Sequence, residues 1–290
     1  MTLGAKCRQR RRPLPLCCVA ALAVAAGPAI GAGAASPPDA REILGRAEAI
    51  RSPGVPFAVE FSIETSFPGL PGSTQLATYS LVAGGHDHAL VLLRDPAANF
   101  GGTLLIAEGR YWLLLPRSTR AIELSESSIV RGDVGMGDIA RTNLAARYEP
   151  VLLGQESVEG EPCWKLELTA TDPRCSYPRI LYWVSAARFE PLQLEYHGRT
   201  GSPLKRARCG PYLESAIGLA PARIEVQDLP PGGRTSTMVF SSYRKANAGA
   251  LDFTPDGMVR FRDAAVSRWR ADRPPPRLEE FAPSLFTRGR

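Results

Sequence analysis

Residues 57–64 read Phe-Ala-Val-Glu-Phe-Ser-Ile-Glu, placing Phe57, Val59, Phe61 and Ile63 on one side of an extended chain and Ala58, Glu60, Ser62 and Glu64 on the other. A period of two marks a half-buried strand, because successive Cβ atoms leave a strand in opposite directions. The alternation returns at Trp164, Leu166 and Leu168 against Lys165, Glu167 and Thr169, and at Leu192, Leu194 and Tyr196 against Gln193 and Glu195. Further strands are predicted over 76–82, 88–93, 104–107, 111–115 and 121–124, broken by Gly84-Gly85, Gly101-Gly102 and Glu108-Gly109. Others follow over 179–184, 204–209, 222–227 and 235–243, with turns at Asp172-Pro173, Thr200-Gly201 and Pro230-Pro231-Gly232-Gly233. Short strands joined by such turns make antiparallel meanders. About a dozen strands with few helices exclude a parallel α/β sheet, whose crossovers require helices, and fit a mainly β fold, a strongly curved antiparallel sheet forming an open barrel.

Outward from the strands, a helix is predicted from Pro38 to Ile50, which Asp39 can help to start. Between Gly132 and Arg147 the pattern relaxes into a glycine-rich stretch and a short helix that Asp138 could cap, a lid or crossover. Beyond Met258 alternation stops, and residues 260–290 hold eight arginines against Asp263, Asp272, Glu279 and Glu280, with Pro274-Pro275-Pro276 among them. Disorder or a loosely docked tail is expected there; a membrane-surface or partner-binding role for Trp269, Phe281 and Phe286 is the alternative.

The start of the chain carries Lys6, Arg8, Arg10, Arg11 and Arg12, then an apolar run from Leu14 to Ile30, then small residues from Gly31 to Ala35. Charged, apolar and small segments in that order form a secretory signal, with cleavage expected near Ala34 or Ala35 and a periplasmic destination. An uncleaved anchor is the competing reading, weakened by Pro15 and Pro28; Arg11-Arg12 leaves the export route open. Residues 1–35 take five of the 35 Lys and Arg and none of the 29 acids, so the formal charge falls from +6 to +1. Without a basic footprint, nucleic acid is excluded as a partner. The expected layout is a signal peptide over 1–35, one β-rich domain over 36–259 and the Arg/Pro-rich tail over 260–290.

Chemistry has few carriers. Cys163, Cys175 and Cys209 remain after cleavage, and a disulfide between two of them is expected, although spacing does not choose the pair. No Cys-x-x-Cys is present. His86 and His88 would share a strand face, but zinc needs a third or fourth ligand, and His197 is the only other histidine. No Gly-x-Ser-x-Gly elbow occurs, and Gly132-Asp133-Val134-Gly135-Met136-Gly137 lacks the Lys-Ser or Lys-Thr of a phosphate loop. The residues therefore suggest no enzyme, metal or cofactor.

The order of several short stretches resembles the outer-membrane lipoprotein-sorting family, the LolA-like periplasmic lipoprotein carrier superfamily. They are Asp95-Pro96 with Gly102-Thr103-Leu104-Leu105, Tyr111-Trp112-Leu113-Leu114-Leu115-Pro116, Gly135-Met136-Gly137-Asp138-Ile139, Tyr148 with Leu152-Leu153-Gly154, and Val158-Glu159-Gly160. Then come Cys163-Trp164-Lys165-Leu166-Glu167-Leu168, Tyr177-Pro178-Arg179-Ile180, Pro191-Leu192 and Phe253-Thr254-Pro255. The resemblance spans residues 57–257; the stretch 129–134 and the Arg-rich tail depart from it. It implies a half-open β-barrel with a few covering helices, whose apolar inner face accepts acyl chains of a lipid or lipoprotein for transfer toward the outer membrane. It also implies an inner-membrane lipid-export pump as a partner, and a monomer is expected. Strand alternation alone selects the lining candidates Phe61, Ile63, Leu81, Leu92, Leu105, Leu113, Leu166, Leu168, Leu194 and Tyr196. Rival readings are a non-catalytic sensor or scaffold of the same fold, and a hydrolase or metal enzyme built on His86, His88 or His197.

Overall fold

The computed structural model describes residues 38–69, 72–125, 143–173, 175–229, 233–269 and 272–286. The expected signal peptide, the stretch 132–137 and the helix start at Asp138 lie outside these residues.

A helix, α1 (Ala40–Arg51), precedes a first meander of strands β1 (Phe57–Ser66), β2 (Thr74–Ala83), β3 (His88–Asp95), β4 (Thr103–Ala107), β5 (Arg110–Leu114) and β6 (Ile122–Leu124). A short helix α2 (Leu144–Arg147) leads into a second meander, β7 (Tyr148–Val158), β8 (Glu161–Ala170), β9 (Arg179–Ser185), β10 (Pro191–His197) and β11 (Pro203–Cys209). The chain then makes a separate hairpin, β12 (Tyr212–Ser215) with β13 (Gly218–Pro221), returns to the sheet as β14 (Arg223–Asp228) and β15 (Thr235–Lys245), and ends in helices α3 (Pro255–Arg268) and α4 (Leu278–Phe281).

Thirteen strands form one antiparallel sheet in the order β6-β5-β4-β3-β2-β1-β15-β14-β11-β10-β9-β8-β7. Strands β14 and β15 join the two meanders by pairing with β11 and β1. Among the described residues strands β6 and β7 are its edges, and the sheet is not closed. Strand β7 went unread in the sequence because it contains Pro150 and Gly154. An edge strand tolerates both: proline lacks a donor that the free edge does not need, and Gly154 (φ 132°) sits at a bulge between Leu152 and Gly154.

On the inner face, residues of twelve strands converge in one core beneath α1. Ile43, Leu44 and Ala47 of α1 meet Val59, Phe61 and Ile63 of β1, Leu166 and Leu168 of β8, Leu194 and Tyr196 of β10, and Met238 of β15. Register builds this core from cross-strand neighbours: Phe61 lies opposite Tyr79 and Phe240, with ring centroids 5.1 and 5.5 Å away. Asp39 precedes α1 without capping it through its side chain, contrary to expectation; its carbonyl accepts from Ile43 N at 2.9 Å.

The outer face has two halves. Over β2–β5 it is apolar and covered by the chain's end: Met258, Phe261 and Ala265 of α3, with Leu278, Phe281 and Leu285, pack on Val82, Leu90, Leu92, Leu105 and Leu114. The spacing 258, 261, 265 is one helical stripe. The end of the chain is thus docked, not loose, and α3 runs across the boundary expected at residue 259. Two arginines, Arg262 buried and Arg94 half-buried, explain why an Arg- and Pro-rich segment packs. Arg94 donates to the carbonyls of Pro275 (2.8 Å) and Pro276 (3.2 Å) and meets Glu60 at 3.3 Å. Arg262 donates to the carbonyls of Pro116 and Ser118. The aromatic residues there are packed as well, Trp269 against Phe100 (5.1 Å) and Phe286 beneath the Arg244 guanidinium (4.1 Å). Over β8–β11 the outer face instead carries cross-strand charge pairs, Arg179 with Glu167 and Arg206 with Glu195.

Candidate functional site

Between α1 and the inner face lies an apolar cavity of about 100 Å³. It sits where strand ends coincide: Phe57 opens β1, Ala83 closes β2, Ala89 is second in β3, Cys209 closes β11, Ile224 is second in β14 and Tyr243 is near the end of β15. Deeper in, the wall is Val59, Leu81, Leu194, Tyr196, Ala207, Val226, Met238 and Phe240.

The roof has two parts. The end of α1 closes one side through Arg51, with Ser52 and Pro53 just beyond it, and the helix is held by an Arg41–Glu149 ion pair, by Arg46 stacked over the Phe189 ring at 3.4 Å, and by Glu48, which accepts from Leu144 N at 2.8 Å. The β12–β13 hairpin covers the other, with Ile217, Ala220 and Pro221 on the cavity. Its base is strapped at both ends, Tyr212 Oη donating to the Pro191 carbonyl and Tyr243 Oη to the Pro221 carbonyl. Neither part of the roof pairs into the sheet.

One element of the wall is charged. Arg51, in the last turn of α1, lines the cavity and pairs with Glu48 one turn back, Nε to Oε1 at 2.9 Å. Burial alone would lower the Arg51 pKa, but Glu48 and the neighbouring Tyr182 and Tyr196 hold it above its ordinary value. Burial pushes the Cys209 thiol up to about 11 and the Tyr182 phenol well above its usual range, so both are neutral near pH 7.

Three comparisons place this geometry among known proteins. A family model described as an uncharacterized protein matches residues 85–260. A LolA superfamily protein from Nitrosomonas europaea has 31% sequence identity, covering 72% of this chain and 94% of its own, with a TM-score of 0.65. The chain belongs to the LolA superfamily. Two further structures show the fold alone: an outer membrane lipoprotein-sorting protein domain from Vibrio parahaemolyticus (18% identity, 76% and 98% coverage, TM-score 0.66) and a DUF1329 family protein from Desulfovibrio piger (18%, 71% and 91%, 0.62). No curated protein matches the sequence.

With the superfamily in place, the residues picked by alternation can be located. Phe61, Ile63, Leu81, Leu166, Leu168, Leu194 and Tyr196 belong to the inner core, and Leu81, Leu194 and Tyr196 line the cavity itself. Leu113 lies opposite Leu104 of the inner core and is half-buried. Leu92 and Leu105 are corrections: both point to the outer face, under the C-terminal helices. Every residue of β4 is buried, and both faces of β3 carry apolar residues, so alternation could not orient these strands. Arg51 and Glu48 were missed. The signal was available, since a helical wheel puts them on the Ala40, Ile43, Leu44, Ala47 stripe.

Among the described residues the expected disulfide is not formed between any two of Cys163, Cys175 and Cys209. Cys209 lines the inner cavity, while Cys163 shares the outer face of β8 with Lys165, which forbids a bridge between them. Among the described residues no three His, Cys, Asp or Glu converge as a metal requires. His88 packs against the Phe253 ring at 5.5 Å, and His197 lies between Glu195 (3.0 Å) and the Gly201 carbonyl (2.9 Å). No helix among the described residues is long and apolar enough to cross a membrane.

Proposed function

We propose that this protein is an exported, non-catalytic periplasmic carrier that holds an acyl chain of a lipid or lipoprotein between its sheet and the roof formed by α1 and the β12–β13 hairpin. The observation that carries the reading is the apolar cavity itself, walled by seven strands of one sheet and roofed by elements that do not pair into it. Its fold is that of a superfamily with members described as lipoprotein-sorting proteins. We take the sheet as a half-open barrel, with the unpaired edges β6 and β7 as its seam.

The physical logic is that of a preformed apolar slot: each methylene moved from water into it contributes roughly 0.8 kcal/mol, so a twelve-carbon tail is held mainly by contact area. A cavity of about 100 Å³ is smaller than the roughly 300–1,000 Å³ of common ligand sites, so loading lifts the roof. That motion displaces two short elements and leaves the sheet intact. Transfer toward the outer membrane, with an inner-membrane lipid-export pump as donor, completes the reading.

The test is native mass spectrometry, with organic extraction, of the full chain recovered from a periplasmic fraction without detergent. An acyl lipid at near-stoichiometric amount is expected. An empty protein that also refuses a fluorescent acyl probe would refute the carrier.

A further inference from the structure

We infer that the cavity takes a single-chain amphiphile with an anionic head, a fatty carboxylate or a monoalkyl phosphate, and that Arg51 is the residue that receives the head. The inference rests on the acyl-binding reading and adds the chemical class of the ligand.

The charges on the cavity wall are the first ground. Among the described residues that line it, Arg51 is the only Lys or Arg, and no Asp or Glu lines it. Glu48, the counter-charge of Arg51, engages one edge of the guanidinium, Oε1 with Nε at 2.9 Å and Oε2 with Nη2 at 3.4 Å, Oε2 also accepting from Leu144 N, and does not itself line the cavity. The cavity therefore meets the cationic end of the pair. A guanidinium carries five donors in one plane, and a carboxylate or phosphate head at the wall would share them with Glu48.

Position is the second ground. Arg51 stands with Ser52, Pro53 and Gly85 at the end of the cavity where the loops after α1 and β2 meet, whereas Val59, Leu81 and Met238 form its depth. An amphiphile lying head-out and tail-in would put its anion beside Arg51 and its methylenes on those apolar residues. The small volume admits one chain more readily than two.

The third ground is the cost of the arrangement. Glu48 and Arg51 are both largely buried on a helix face that is otherwise apolar, and beside them the buried Tyr182 Oη has no hydrogen-bond partner among the described residues. A buried ion pair stabilises a fold little beyond what apolar residues of the same shape would, so a polar knot set into a ligand wall is better explained by the ligand than by folding.

The deciding experiment is titration calorimetry of the full delipidated chain at pH 7.5, below micelle concentrations, with dodecanoate, dodecyl phosphate and dodecanol. Either or both anions should bind at least about tenfold tighter than the alcohol, the tighter one naming the head, because a charge-assisted pair in an apolar site supplies that much. Arg51→Met should erase the difference while retaining dodecanol affinity, and Arg51→Lys should restore part of it. Equal affinity for alcohol and anions in the wild type overturns the inference and leaves the carrier standing; no binding of any of the three overturns both. The wild-type comparison decides even where Arg51→Met fails to fold.

Discussion

Arg262 of α3 donates to the carbonyl of Ser118 at 2.9 Å, fastening the end of the chain to the loop between β5 and β6. The same guanidinium reaches Pro116 at 3.1 Å and is 5% exposed as a residue. Arg262→Ala should therefore strip a donor from three main-chain carbonyls, those of Leu115, Pro116 and Ser118, costing about 3 kcal/mol or more where each charged hydrogen bond contributes roughly 1.5–3 kcal/mol. Urea denaturation checks this, and a change under about 1 kcal/mol would show the fastening to be idle.

Cutting the chain after Phe253 should abolish folding, with aggregated product on expression. It would bare Val82, Leu90, Leu92, Leu105 and Leu114. At roughly 1.5–3 kcal/mol per buried aliphatic side chain, that loss is comparable with the whole 5–15 kcal/mol stability of a domain. Recovery of a soluble, cooperatively melting 1–253 fragment would contradict it. Partner capture by this segment is consequently better probed with surface substitutions than by deletion.

Ala207→Phe should separate binding from folding. Ala207 is buried in the cavity wall on β11, and a phenyl ring there would occupy the space an acyl chain needs. Acyl-probe affinity should drop at least about tenfold, while overpacking costs only about 1–3 kcal/mol of stability. Unchanged probe affinity in a folded variant would place the acyl chain elsewhere.

Stability should decline in alkali. Burial raises the Cys209 thiol from 9.0 to about 11, and burial likewise raises the Tyr182, Tyr212 and Tyr243 phenols. Each folded pKa lies above its unfolded value, so the fold favours the protonated form. The contribution of Cys209 is complete below about pH 9 and is lost as pH rises through 11. The melting temperature should fall between pH 8 and 10.5, with the decrease reduced in Cys209→Ala. A flat profile would contradict the burial of these groups.

Much of this architecture was legible because a strand buried on one face writes its burial into its sequence. Strands β1, β8 and β10 alternate cleanly, and seven of the lining candidates on them and on β2 belong to the inner core, three of these on the cavity. Legibility failed wherever the second face was also covered. In β3 and β4, Leu92 and Leu105 were assigned inward because nothing local distinguishes a side chain under α1 from one under α3. It failed too at β7, β12 and β13, where prolines, glycines and four-residue strands erase the period.

The sequence by itself determined the mainly β class and the antiparallel meanders, since these rest on patterns of neighbouring residues that local sterics and burial impose, and the order of its short stretches carried the resemblance to the superfamily. Only the tertiary structure decided that the Arg-rich end is a packed cover, that Arg51 faces a cavity, and that the two meanders join through β14 and β15. Those outcomes depend on contacts between residues far apart in the chain: Arg262 needs carbonyls 144 or more residues away, and β15 finds β1 across the whole domain. No local pattern encodes which distant partner a buried group will meet.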